Sequence, residues 1–241
     1  MQLRPPPSTG PRPTDVASAL SAATAQLGHR PAVTVLLPSG RQEQSVASLA
    51  QWAAKGAHLL ELDLLLGPGD RLRLDAPPSW TTAAVALAAW WAGVTVAVDG
   101  EAEVTVVHAA RPAPAAGEVL WLGDGIDGAP TEPTGGEAWV RAVQTFPDQP
   151  PVPRGRAEHA AAVAGDRTWT QAELLDRCDD AEAGTLGIDV GAAEDEPTAA
   201  VDTVGLLADV ALRPLVSQRP TVIVRGVARA AADGDRVRRW R

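Results

Sequence analysis

Hydrophobic positions in the first half of the chain recur with two different spacings. After Ser45 they repeat about every 3.6 residues, which predicts an amphipathic helix that ends near Leu66. Between Asp70 and Asp75 leucines alternate with arginines, which predicts a strand. Uniformly apolar stretches predict a buried helix over residues 80–92 and a buried strand over residues 94–98.

Further elements complete an alternating order of helices and strands. Helix caps and β-branched runs predict a helix from about residue 14 to 27 and strands over 32–37, 104–108 and 118–122. This order predicts an α/β fold with a doubly wound, largely parallel sheet and right-handed crossovers. Within the buried helix, one ring of the pair Trp90 and Trp91 is expected in the core. The other is expected in the core or at an interface such as that of a homodimer.

The second half of the chain carries weaker signals. A capping box that starts at Thr170 precedes an apolar run and predicts the start of a helix. Residues 137–143 and 203–216 are predicted to be helical, and residues 221–224 to form a strand. The polar, acidic stretch over residues 187–200 is interpreted as an exposed loop.

The composition limits the classes of function. The 241 residues carry a formal net charge of -9, and 45% of them are hydrophobic, as in folded acidic proteins. A negative field argues against binding to nucleic acid or to an anionic membrane. The sequence has no apolar run of the roughly 18 residues that a bilayer span requires. It also has no secretory signal near its start, so we expect a cytoplasmic protein.

The domain organisation follows from the proline and charge distribution. We expect a flexible arm over residues 1–13, a single α/β domain over residues 14–228 and a basic tail over residues 229–241. The tail is interpreted either as a solvated end or as a contact for an anion or an acidic partner, with Trp240 as an apolar anchor.

Few residues offer catalytic chemistry on their own. The histidines lack metal-ligand spacing and are interpreted as surface or core residues; they are His29, His58, His108 and His159. The only cysteine, Cys178, is interpreted as a small helix residue rather than a nucleophile. The sequence contains neither the Gly-x-Ser-x-Gly elbow of hydrolases nor a Gly-x-Gly-x-x-Gly motif after its first strand.

Several segments, taken in order, resemble a known superfamily. A capped helix leads to the turn GPGDR that begins at Gly67, and the Pro78-Ser79 loop opens an alanine-rich helix. That helix leads through Gly93 into an apolar strand that closes at Asp99. The chain thereby resembles the N-terminal part of the adenylate-forming (AMP-binding) superfamily, which includes acyl-CoA synthetases, luciferases and adenylation domains. It also resembles a compact actinobacterial family of unassigned function.

The resemblance implies ATP or AMP with Mg²⁺ as ligands, but the sequence departs from the superfamily at the phosphate loop. That loop is rich in Ser, Thr and Gly, ends in Pro-Lys-Gly, and binds phosphate through backbone N–H groups and a lysine. The matching stretch, between about Thr145 and Thr170, contains the proline-rich run over residues 150–156, and Lys55 is the only lysine. The tripeptide Pro153-Arg154-Gly155 is interpreted either as a remnant of the Pro-Lys-Gly end of that loop, with arginine in place of lysine, or as unrelated sequence.

In open α/β sheets, small molecules bind beyond the carboxyl ends of the strands. That rule points to the loop over residues 76–79, the region after residue 99 and the segment after Leu122. The candidate nucleotide-binding residues are Pro78, Ser79, Asp99, Arg154 and Arg156. No residue is assigned a catalytic role or a metal-ligand role.

Three hypotheses for function remain open. The leading hypothesis is a catalytically degenerate relative that binds a small molecule or a protein partner. The second is an active acyl-activating ligase that uses Arg154 or Arg156 on phosphate, completed by a second chain. The third is a scaffold subunit whose exposed tryptophans and arginine-rich tail bind a partner. The superfamily's adenine-binding motifs and C-terminal domain with its catalytic lysine find no match in these 241 residues, so no catalytic role transfers.

Overall fold

The computed structural model describes residues 12–112, 114, 117–132, 134–179, 185–190, 200–228, 231–232 and 237–240. The helices are α1 Val16–Leu27, α2 Val46–His58, α3 Trp80–Ala92, α4 Trp139–Ala142, α5 Gln171–Asp179, α6 Ala200–Ala211 and α7 Arg213–Val216. The strands are β1 Pro31–Leu37, β2 Gly40–Ser45, β3 Arg71–Asp75, β4 Thr95–Ala97, β5 Val104–His108, β6 Glu118–Leu122, β7 Glu137–Ala138, β8 Ala160–Ala164, β9 Arg167–Thr170, β10 Thr185–Val190, β11 Thr221–Arg225 and β12 Val237–Trp240.

These strands form two sheets rather than the one that the sequence pattern predicts. The larger sheet has the order β7-β6-β5-β3-β4-β8-β9, and only β9 runs antiparallel to its neighbour. The smaller sheet has the order β12-β10-β11-β1-β2, and only β2 is antiparallel. The predicted α/β class with largely parallel pairing is therefore confirmed. The division into two sheets arises because β1 pairs with β11, with Val33 opposite Thr221, instead of joining β3.

Helix α3 lies in the layer between the sheets and contacts strands of both. Every one of its 13 residues is buried, as its uniformly apolar sequence predicts. Helix α2 crosses close to it at Gly56, where a Cβ atom would lie 2.7 Å from the Cβ of Ala88 and 3.0 Å from the ring of Trp139. The two helices therefore approach each other at a distance that only glycine allows at this position.

Both rings of the tryptophan pair belong to the core, so the interface alternative for Trp91 is wrong. Trp90 is 0% exposed and its Nε1 donates to the carbonyl oxygen of Ala161 at 2.7 Å. Trp91 is 6% exposed and its Nε1 donates to the carbonyl oxygen of Pro151 at 2.9 Å. All tryptophans whose side chains the structure describes are buried or half-buried, contrary to the exposed tryptophans that the scaffold hypothesis requires.

Several predicted boundaries differ from the structure. The predicted long helix ends at His58 and continues as a π-helical turn over Leu59–Asp63. The predicted acidic loop over residues 187–200 begins within β10, which buries Leu186 and Ile188, while residues 191–199 lie outside the described residues. The predicted capping box is confirmed, because Glu173 accepts from the N–H of Thr170 at 2.7 Å.

The chain ends of the structure are only partly described. Residues 1–11 of the predicted arm lie outside the described residues, as do most of residues 229–241. Within the predicted tail, β12 pairs with β10 in parallel, so part of the tail adds a strand to the smaller sheet. No helix in the described ranges combines the length and the apolar character needed to cross a bilayer.

Candidate functional site

The structure places the predicted site residues at opposite ends of the larger sheet. Ser79 lies at the N-terminus of α3, whereas the backbone of Arg154 contacts Trp91 at its C-terminus. A helix of 13 residues is about 20 Å long, so these two candidates do not share a site.

At the N-terminal end of α3, Ser79 is an N-cap. Its Oγ accepts from the backbone N–H of Thr82 at 3.1 Å, and the Oγ1 of Thr82 accepts from the N–H of Ser79 at 2.8 Å. This reciprocal pair satisfies two N–H groups at the start of the helix. Pro78 precedes the cap and is half-buried. The contacts of Ser79 are those of a helix-capping residue.

Asp99 contacts the turn between β8 and β9. Its two carboxylate oxygens accept from the backbone N–H of Gly165 at 3.1 and 3.0 Å. The turn has only two residues, Gly165 and Asp166, and Gly165 has φ +54°. The loop that follows the carboxyl end of β8 is therefore short, and its first N–H group is bound within the chain.

The proline-rich segment covers the C-terminal end of α3. The backbone N–H groups of Arg154 and Gly155 both donate to the carbonyl oxygen of Trp91 at 2.9 Å. These bonds satisfy a helix carbonyl that has no partner within the helix. The guanidinium of Arg156 donates back to the carbonyl oxygens of Pro153 and Gly155 at 2.8 and 2.7 Å.

The side chain of Arg154 lies over Gly67. A Cβ atom at Gly67 would be 2.6 Å from its Nη2, so the guanidinium packs on bare backbone there. Burial raises the pKa of the neighbouring Glu61, and the charges of Arg154 and His58 oppose that rise. Arg154 thus belongs to an ion cluster at the amino-terminal edge of the larger sheet.

A second cluster lies at the carboxyl ends of the strands, where open α/β sheets commonly bind their ligands. It consists of His108 at the end of β5, Asp124 just after β6 and Arg225 at the end of β11, and we name it the inter-sheet cluster. The Oδ1 of Asp124 accepts from the Nε2 of His108 at 3.1 Å and also pairs with the Nη2 of Arg225. One carboxylate oxygen therefore connects the two sheets.

The tautomer of His108 follows from its contacts. The Nδ1 atom accepts from the backbone N–H of Ala110 at 3.2 Å and so carries no proton. The proton of the neutral ring is then on Nε2, where it is donated to Asp124. The ring is 8% exposed, so this arrangement is held inside the protein.

Arg225 is a buried cation with spare donor capacity. It is 8% exposed, and desolvation lowers its pKa to about 10. Its Nη1 atom is buried and has no hydrogen-bond partner among the residues that the structure describes. The side chain of Asp124, by contrast, is 43% exposed, so the inter-sheet cluster reaches solvent on the carboxylate side.

The loop that carries Asp124 is fixed against α3. Gly128 has φ +82°, and a Cβ atom there would lie 2.4 Å from the Cγ2 of Thr81. The side chain of Gln42, from β2 of the smaller sheet, donates to the carbonyl oxygen of Gly125 at 2.8 Å and accepts from the Nε1 of Trp80 at 2.9 Å. The loop is therefore tied to both the helix layer and the smaller sheet.

The strand-end rule predicts a site in the segment after Leu122, whereas none of the three residues of the inter-sheet cluster is among the predicted site residues. From the sequence, His108 is interpreted as a surface or core residue, and no role is assigned to Asp124 or Arg225. The available signal was their position at the ends of predicted strands. The contact between the two sheets, which brings Arg225 to Asp124 and His108, has no signal in the sequence.

Comparison with known proteins supports the resemblance in fold. No protein-family model matches the chain. A TIGR03089 family protein of Mycobacterium tuberculosis is 36% identical over 121 residues, which are 45% of this chain and 50% of the relative. The chain therefore matches about half the length of this relative.

Solved structures cover nearly all of the chain. Brucella canis acyl-CoA synthetase has a TM-score of 0.64 at 15% identity, over 92% of this chain and 45% of its own. The N-terminal domain of FACL13 from Mycobacterium tuberculosis has a TM-score of 0.65 at 12% identity, over 92% of this chain and 61% of the FACL13 chain. A fatty acyl-adenylate ligase from L. pneumophila, solved with acyl adenylate and pyrophosphate, has a TM-score of 0.57 at 12% identity, over 88% of this chain and 40% of the ligase. The predicted resemblance to the N-terminal domain of adenylate-forming enzymes is confirmed, at the level of the fold.

Proposed function

We propose that this chain is a catalytically degenerate relative of the adenylate-forming enzymes, which binds a ligand without activating a carboxylic acid. The ligand would meet the protein at the carboxyl ends of the strands, where the inter-sheet cluster lies. The observation that carries the proposal is the pair of hydrogen bonds from Arg154 and Gly155 to the carbonyl oxygen of Trp91.

Those two bonds use the donors that a phosphate would need. A phosphate loop binds its ligand through backbone N–H groups that have no other partner. Here the N–H groups of Arg154 and Gly155 serve the end of α3, and that of Gly165 serves Asp99. The neighbouring residues 150, 151 and 153 are prolines and have no N–H group.

The location also disfavours a phosphate. The Arg154 segment covers the C-terminal end of α3, where the helix dipole presents partial negative charge. Phosphates bind preferentially at the opposite end of a helix. That end of α3 is closed by the capping box of Ser79 and by the Asp124 loop. Both arguments support binding without ligation.

Pyrophosphate exchange tests the proposal directly. The protein is incubated with ATP, Mg²⁺, labelled pyrophosphate and a panel of carboxylic acids, and we expect no incorporation of label into ATP above the protein-free blank. Exchange with any acid would overturn the proposal in favour of the ligase hypothesis. Loss of that exchange in Arg154→Gln, but not in the control Arg219→Gln, would then assign the phosphate contact.

A thermal-shift scan with ATP, AMP and Mg²⁺ tests for a retained nucleotide site. A ligand at 100 times its dissociation constant stabilises a protein by roughly 2.7 kcal/mol, which raises the Tm of a domain this size by roughly 5 to 10 °C. A shift without exchange would support nucleotide binding by a non-ligating protein. The absence of a shift would direct the search to other small molecules or a protein partner.

The proposal includes a cellular setting. The acidic composition supports a protein that does not bind nucleic acid, and the relative from Mycobacterium tuberculosis supports an actinobacterial type. A cytoplasmic location stays a prediction. A homodimer stays a prediction, to be tested by the mass of the protein in solution.

A further inference from the structure

We propose that Arg225 and His108 form a binding site for one oxyanion group, a carboxylate or a phosphate, whose place Asp124 takes in the free protein. This inference rests on the proposed location of the ligand site at the inter-sheet cluster, and it specifies the chemistry of the group recognised there. Three properties of the cluster support it.

The first property is the unused donor of Arg225. A guanidinium presents its N–H groups as a fork that matches the two oxygens of a carboxylate or phosphate. In the structure Nη2 pairs with the Oδ1 of Asp124, whereas buried Nη1 has no hydrogen-bond partner in the described part of the chain. A buried charged donor without an acceptor is unfavourable, so the fork is completed when an oxyanion contacts both nitrogens.

The second property is the state of Asp124. A single oxygen of its carboxylate accepts from both His108 and Arg225, while its side chain is 43% exposed. It follows β6 in a loop and can turn toward water without any strand moving. An incoming oxyanion would then accept from the same two donors and, in addition, from Nη1.

The third property is charge balance. Among the described residues, the contacts of the cluster join one anion, Asp124, to one cation, Arg225, and to His108, whose Nδ1 accepts from the N–H of Ala110. Replacing the Asp124 carboxylate by a ligand oxyanion leaves the buried cation paired and transfers the displaced carboxylate to solvent. The cost of the exchange is the loss of the Asp124 contacts, and one carboxylate or phosphate takes over the pairing with Arg225.

Anion titrations on the intact chain test the inference. The Tm is measured in sodium phosphate or sodium acetate against sodium chloride at equal ionic strength, for the wild type, Asp124→Ala, Arg225→Gln and the control Arg219→Gln. Arg219 precedes the same strand β11 at its opposite end and is half-buried. We expect phosphate or acetate to raise the Tm of the wild type and of Arg219→Gln, and not that of Arg225→Gln.

The decisive variant is Asp124→Ala, because it removes the internal competitor. We expect its affinity for the favoured anion to rise at least tenfold over the wild type, since the ligand no longer displaces a carboxylate. A response to phosphate alone would identify a phosphoryl ligand, a response to acetate alone would identify a carboxylate, and equal responses would identify a site that accepts either oxyanion. Equal affinity of the wild type and Asp124→Ala, or no anion-specific shift in either, would overturn the inference.

Two safeguards keep the test interpretable. If Arg225→Gln fails to fold, Arg225→Lys retains the charge but not the fork, and a weaker anion response than that of the wild type is expected. An undiminished response in Arg225→Lys would count against the fork. The readout is also independent of the proposed function: pyrophosphate exchange would refute the non-ligating role alone, whereas a missing anion response would refute the oxyanion site alone.

Discussion

Gln171 donates a hydrogen bond from its side-chain Nε2 to the carbonyl oxygen of Trp90, at 2.8 Å. Its Oε1 accepts from the backbone N–H of Val16, at 3.0 Å. The residue is 1% exposed, so both bonds are shielded from water. One amide side chain therefore joins the first residue of α1 to the last turn of α3.

Substitution Gln171→Leu should lower the free energy of unfolding by about 2 to 3 kcal/mol, because it leaves the N–H of Val16 buried without an acceptor. Urea denaturation followed by circular dichroism measures the change. The control Gln144→Leu alters an exposed glutamine and should stay within about 0.5 kcal/mol of the wild type. Equal stabilities of the two variants would contradict the role given to Gln171.

Two glycines near Arg154 should respond differently to alanine. A Cβ atom at Gly155 would lie 2.0 Å from the carbonyl oxygen of Trp90 and 2.5 Å from the Nε2 of Gln171. The backbone of α3 cannot yield, so Gly155→Ala should cost about 3 kcal/mol or prevent folding.

The matched substitution is Gly67→Ala. The nearest atoms there are at the end of the Arg154 side chain, 2.6 to 2.8 Å away, and that side chain can swing into solvent. The cost should stay below about 1 kcal/mol in the same urea assay. A larger loss for Gly67→Ala than for Gly155→Ala would show that Arg154, rather than the Trp91 contact, fixes this segment.

The parts of the fold that the sequence predicts well have strong local signals. The helix over 80–92 and the strands over 104–108 and 118–122 agree with the structure, because caps and apolar runs define them. Strand β8 was missed because its residues are mostly alanine, which is uncommon in strands. Strand β10 was missed because Gly187 and Asp189 interrupt its apolar run.

The candidate site could be predicted only as a region. Ligands of open α/β sheets bind beyond the carboxyl ends of the parallel strands, and this rule predicts a site in the segment after Leu122. The meeting of His108 and Asp124 with Arg225 depends on how the two sheets stack, and no periodicity in the sequence reports on stacking. Ser79 is both a predicted helix cap and a candidate from the strand-end rule, and its contacts in the structure are those of a cap.

Ser79→Ala should lower the free energy of unfolding by about 1 kcal/mol, because it removes the acceptor for the N–H of Thr82. Ser79→Asp should recover part of the loss, since a carboxylate also caps the positive end of α3. Urea denaturation gives both values. If Ser79→Ala instead kept full stability and weakened the binding of ATP or AMP, Ser79 would be a ligand contact and not a cap.

Cys178 should make stability depend on pH in the alkaline range. It is 0% exposed, its Sγ donates to the carbonyl oxygen of Ala208 at 3.5 Å, and burial raises its pKa from 9.0 to about 12. Above pH 9 the unfolded chain therefore loses the thiol proton while the folded chain keeps it. The stabilisation is fully present below pH 9 and is lost as the pH rises toward 12.

Between pH 8 and pH 10 this linkage should remove about 1.4 kcal/mol from the free energy of unfolding. Urea denaturation across that range measures the change. As the pH approaches 10, Arg225, with its pKa lowered to about 10, adds a dependence of opposite sign, and the wild type shares this contribution with a variant at Cys178. Cys178→Ala is the matched variant, and its curve should lack this decline whatever its overall stability. Parallel curves for the two proteins would mean that the thiol ionises as readily in the folded chain as in the unfolded one.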